Sequence, residues 1–101
     1  MSQPEYRIVR AIQHWLTGQG IFHFKIHGSP MMRVGLPDIV ACVEGMFVGL
    51  EVKQPGEDAT LIQRRVGDEI TTSEGQWFVV HSLEEAQASV SFVRQWVIRR
   101  A

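Results

Sequence analysis

The chain has one cysteine, no long apolar run and no surplus of basic residues, and each shortage removes a class of protein. With Cys42 alone, no internal disulfide forms, so the framework of a disulfide-stapled secreted domain is excluded. Cys42 lies in an apolar stretch and reads as a small core residue. A reducing, cytoplasmic setting is expected, that of the host cell if the chain is phage-encoded. No hydrophobic run approaches the ~20 residues of a membrane span. The first residues show no basic segment leading into an apolar one, so no signal peptide and no membrane partner are expected. His14, His23 and His81 have no metal-ligand spacing with one another or with Cys42, which argues against zinc.

The net charge of −1 speaks mildly against nucleic acid, because phosphate binders usually carry a basic excess. The charges are unevenly placed, however. Between Arg7 and Arg65 there are seven basic residues and five acids, and two of those acids are Asp38 and Glu51. A cation bound by that pair would leave the remaining surface locally basic. The 101 residues suffice for a single domain, 1–101, with one modest core, and no repeat or linker divides them.

Ser2-Gln3-Pro4-Glu5 reads as a helix start, with a serine cap, an early proline and a glutamate three residues after the cap. Ile8, Val9, Ile12, Trp15 and Leu16 continue it at helical spacing until Gly18-Gln19-Gly20. Residues 21–26 alternate, with Phe22, Phe24 and Ile26 on one side and His23 and Lys25 on the other: a first strand. After a loop over 27–35, Asp38 to Val43 reads as a second strand, Glu44-Gly45 as a tight turn and Met46 to Lys53 as a third strand. Thr60 and Gln63 form a capping box for a helix that should bury Ile62, Val66 and Ile70 and close near Glu74-Gly75. Gln76 to Val80 reads as a short strand, and Ser82 caps a last helix facing inward through Ala86, Val90, Val93 and Val97. The order α-β-β-β-α-β-α predicts an α/β fold, one mixed central sheet flanked by helices on both faces, with a right-handed crossover joining the third and fourth strands in parallel.

Chemistry gathers between Pro37 and Lys53. Pro37-Asp38 is followed, after twelve intervening residues, by Glu51-Val52-Lys53. Asp38 is a poor strand former at the mouth of an apolar strand; alone it also reads as a turn aspartate. Glu51 lies between Leu50 and Val52 in the most apolar strand, where an unpaired carboxylate costs several kcal/mol. Lys53 shares its face, because side chains two apart in a strand point the same way. A simple Glu51–Lys53 neighbour pair is the bland alternative. Two carboxylates and an ammonium at one place are the equipment to hold a hard divalent cation and prepare a water for phosphodiester hydrolysis. Glu5 borders the apolar stripe of its helix and is either the partner of the Ser2 cap or a fourth element of the site. Gln63 has the same ambiguity with Thr60. Lys25, His27, Arg33 and Arg64 are candidates for holding a phosphate backbone.

This pattern resembles the PD-(D/E)xK nuclease superfamily, whose core is restriction-endonuclease-like. Glu5 on the leading helix, Gly35-Leu36-Pro37-Asp38, Phe47 ahead of Leu50-Glu51-Val52-Lys53, and Gln63 are together similar to the virus-type replication-repair nuclease (VRR-NUC) domain, over residues about 4 to 80. The resemblance implies an Mg²⁺- or Mn²⁺-dependent deoxyribonuclease with no organic cofactor. Asp38, Glu51 and the backbone carbonyl of Val52 would ligate the metal, Lys53 would prepare the attacking water, Glu5 would support metal or water, and Gln63 would brace the site. Stand-alone members resemble Holliday-junction resolvases, so a homodimer acting on branched DNA is expected. The alternatives are another repair or restriction-type nuclease of the superfamily, or a non-catalytic nucleic-acid-binding subunit.

Overall fold

The computed structural model describes residues 3–100, so the expected Ser2 cap lies outside the described residues. Its elements are α1 (Gln3–Gly18), β1 (His23–Lys25), β2 (Ile39–Val43), β3 (Met46–Val52), α2 (Leu61–Thr72), β4 (Gln76–Val80) and α3 (Leu83–Arg100). The expected order is observed. β1 is shorter than the alternation at 21–26 suggested, although Cys42 N–H still donates to the Phe22 carbonyl and Ile26 N–H to that of Asp38.

The four strands form one sheet in the order β1-β2-β3-β4. The first three are antiparallel neighbours, while β3 and β4 run parallel across α2. Glu44 and Gly45 both take positive φ, 53° and 83°, the two-residue turn whose twist suits a hairpin and brings Val43 opposite Met46. At the other crossover, the Thr60 hydroxyl accepts from Gln63 N–H while the Gln63 side-chain oxygen accepts from Thr60 N–H, so the capping box is formed.

One face of the sheet carries the core. Val9, Ile12 and Leu16 of α1 and Ala86, Val90 and Val93 of α3 bury themselves against Ile39, Ala41 and Val43 of β2 and Val48, Leu50 and Val52 of β3. Helical spacing on one side meets strand alternation on the other, which is why this core follows from local pattern. The opposite face is covered by α2 over β3 and β4 only. There the packing is close: a Cβ on Gly67 would fall 2.4 Å from the Trp77 indole, so α2 can lie on β4 only with glycine at that point.

Two burial expectations need correction, those for α2 and for Cys42. Ile62 is half-exposed; of the three residues expected to anchor α2, only Val66 is fully buried. The aromatic side of β1 points to the uncovered half of the sheet, leaving Phe22 and Phe24 exposed with their rings edge to face. Cys42 is exposed rather than buried in the core, since no helix reaches the part of the sheet it faces.

Candidate active site

Pro37 sets the site in place. It is fully buried, and its ring lies against Gly49, where a Cβ would come within 2.9 Å of Pro37 Cγ. A glycine inside an apolar strand is the sequence signal for such a close approach. Asp38 then extends the sheet by one residue beyond β2: its N–H donates to the Leu50 carbonyl (3.0 Å) and its carbonyl accepts from Ile26 N–H (2.9 Å). Its side-chain Oδ2 accepts from Val52 N–H at 2.7 Å. The aspartate is thereby locked onto the strand that carries Glu51 and Lys53.

Glu51 is 2% exposed, and its Oε2 is buried with no hydrogen-bond partner. Its carboxyl pKa is pushed up to about 8, first by burial, then by the charge of Asp38 and a hydrogen bond to it, with Glu5 adding to the rise and Lys53 opposing it. These influences place Asp38 next to Glu51, with the charges of Lys53 and Glu5 within electrostatic reach. A buried excess of negative charge with an orphaned carboxylate oxygen is what a divalent cation relieves, and the donors are the hard oxygens that Mg²⁺ and Mn²⁺ prefer. Among the described residues, no group of three or more His, Cys, Asp or Glu is drawn together to hold an ion. Side chains would therefore supply two ligands, Asp38 and Glu51, leaving the rest to backbone and water, as Mg²⁺ commonly accepts.

The other candidate residues fall into separate groups. Gln63 commits its side-chain oxygen to the capping box. Arg33 lines a cavity of about 300 Å³ that also reaches Asp38, but its guanidinium is paired with Glu69 on α2. Arg64 is paired with Asp58, just before α2. Lys25 and His27 lie in a different cleft, between α1 and β1, together with Arg10, His14 and His23. Reading the sequence did not single out Arg10 or Tyr6; their only trace there is the polar face of α1.

No family model matches this sequence, and no curated protein matches it. Solved structures do. One described as a VRR_NUC domain superposes with a TM-score of 0.75 at 20% identity, covering 89% of this chain and 97% of its own. The chain has the VRR-NUC fold. A second structure, of a VRR_NUC domain protein, agrees at a TM-score of 0.67 and 14% identity, covering 96% of this chain and 90% of its own. Asp38, Glu51 and Lys53 lie at the end of β2 and β3 opposite their hairpin.

Proposed function

We propose that the chain is a metal-dependent DNA endonuclease, an Mg²⁺- or Mn²⁺-dependent deoxyribonuclease. The observation that carries this reading is the buried Glu51 carboxylate beside Asp38, with an unpartnered oxygen and Lys53 on the same face. Asp38 and Glu51 hold the cation, assisted by the Val52 carbonyl. A bound Mg²⁺ or Mn²⁺ supplies charge neutralisation on the phosphate and a more acidic water. Lys53 orients the attacking water through its ammonium, with the scissile phosphate placed for in-line displacement. Glu5, whose charge Glu51 senses, supports the metal or the water, and Gln63 braces the start of α2 beside the site. Lys25, His27, Arg33 and Arg64 serve the phosphate backbone; the last two exchange exposed carboxylate partners for phosphates at little cost.

The favoured substrate is branched DNA such as a Holliday junction, cut by a homodimer in a repair or phage setting, since one small site cuts one strand and resolution needs two symmetric cuts. The test is cleavage of junction, flapped and linear DNA by the purified chain, with and without Mn²⁺. Asp38→Ala and Lys53→Ala are expected to lower cleavage by a factor of a hundred or more, on the order of the loss of a catalytic acid–base group, while DNA binding persists. Chelation should stop cutting and added Mn²⁺ restore it. A Lys53→Ala protein that cuts at the normal rate would remove the role assigned to that lysine.

A further inference from the structure

A large cleft lies away from the carboxylate pair. It is a space of about 660 Å³ between α1 and the edge strand β1, lined by Tyr6, Arg10 and His14 from the helix and His23, Lys25 and His27 from the strand and its end, with no carboxylate in its wall. In a chain of net charge −1, this is a segregation of charge. Arg33, Arg64, Arg94 and Arg100 each meet a carboxylate, whereas no ion pair among the described residues includes Arg10 or Lys25. Arg10 instead lies over the Tyr6 ring, 5.7 Å from its centre, and donates to the Tyr6 hydroxyl at 3.3 Å, which steadies its guanidinium beside the cleft.

The cleft also has a direction. Lys25 pairs with Ile39, and Ile26 N–H meets the Asp38 carbonyl, so the Lys25–His27 end lies beside the Asp38 backbone, on the face of the sheet opposite Glu51. On the helix, Tyr6 follows Glu5, whose charge reaches Glu51, while Thr17 marks the far end near His23. From Tyr6 to Thr17 the helix runs about 16 Å at 1.5 Å per residue. That is roughly five steps of B-form DNA at 3.4 Å per step. A cationic, acid-free track with one end near the Asp38 backbone matches a polyanion of repeating phosphates.

We propose that the α1–β1 cleft is a phosphodiester-backbone site holding the strand that leads to or from the cut, with Arg10, His14 and His23 joining Lys25 and His27 as its contacts. This inference rests on the nuclease reading for its direction, and its test is separate from cleavage. Binding of a labelled four-way junction is measured by fluorescence anisotropy in chelator, so that nothing is cut, across a range of salt. Arg10→Ala/Lys25→Ala is expected to reduce the slope of log affinity against log salt by about 2 and to weaken binding about tenfold at moderate salt, one counterion being released per phosphate neutralised. His14→Glu, at an exposed helix position, should weaken binding without touching the fold, whereas Arg99→Ala on α3 should change neither slope nor affinity. Melting curves without DNA check that each variant is folded.

An unchanged slope and affinity in both cleft variants overturns the proposal. A deoxynucleoside monophosphate that binds as tightly as the strand, in an Arg10-dependent manner, replaces the strand with free nucleotide and also overturns it. A wild-type protein that cuts no DNA while the cleft variants lose binding refutes the nuclease reading alone. One that cuts normally while the cleft variants bind as wild type refutes the cleft alone.

Discussion

At the scale of single residues, Glu51 is held where its charged form is unfavourable. Burial, then Asp38, then Glu5 raise its pKa from 4.5 to about 8. A carboxyl whose folded pKa is raised contributes its stability in full below the ordinary value and loses it as pH rises through the folded one. The metal-free protein should therefore lose stability between about pH 4.5 and 8, on the order of a few kcal/mol. Glu51→Gln keeps the shape and removes the charge. It is expected to melt several degrees above wild type at pH 8 without metal, a gain that shrinks towards pH 4.5, while destroying activity. Equal melting temperatures at pH 8 would show that the buried carboxylate is not strained. The same residue illustrates what local reading can achieve. Glu51 and Lys53 share a face because strands alternate, which any strand of this sequence would impose. Gln63 was ambiguous for an equally local reason: one amide can serve a cap or a site, and here its oxygen serves the cap.

Between elements, His81 links the loop after Lys53 to α3. Its ring nitrogens meet the Glu85 carboxylate at 2.9 Å and the Glu57 carbonyl at 2.7 Å, so only the imidazolium satisfies both acceptors. The hydrogen bond that His81 donates to the Glu85 carboxylate, then that to the Glu57 carbonyl, raises the His81 pKa, and the same bond from His81 lowers that of Glu85. The histidine's contribution is complete below its ordinary 6.5 and lost as pH rises through its higher folded value. Glu85's is present above its ordinary 4.5 and lost as pH falls through its lower folded value. The difference in melting temperature between wild type and His81→Gln should thus be largest between about pH 4.5 and 6.5 and fade by pH 9. Because both groups are partly exposed, it should be small, on the order of a few degrees. A difference independent of pH would mean that the clamp is packing alone. Caps, turn and strand alternation at this scale were legible from neighbours three or four residues apart. The exposure of Ile62 was not, because it depends on how closely α2 can approach β4 at Gly67 and Trp77.

For the whole molecule, the sheet carries its core on one face and is only partly covered on the other, and apolar side chains remain outside. Phe92 and Trp96, one turn apart on α3, are 53% and 40% exposed, and Met31 in the loop before Pro37 is 94% exposed. These two regions are the candidate surfaces for a second copy in the proposed dimer. Light scattering is expected to give a dimer mass for wild type and a monomer mass for Trp96→Glu, whose charge an apolar contact cannot accept. A wild-type monomer that still cuts both strands of a junction would remove the dimer from the mechanism. No helix among the described residues is long and apolar enough to cross a membrane.

The sequence by itself determined the order of elements, the hairpin turn at Glu44-Gly45, the cap at Thr60 and the shared face of Glu51 and Lys53. All of these are set by contacts within a few residues, where backbone geometry allows few choices. Only the tertiary structure decided that Val52 N–H would hold Asp38, that Arg33 and Arg64 would find carboxylates, and that Arg10 would face Lys25 across an acid-free cleft. It likewise left Phe22, Phe24 and Cys42 uncovered. The reason is that a strand's pattern specifies two faces without naming what covers each; the order of the strands and the placement of α2 over β3 and β4 assign the cover.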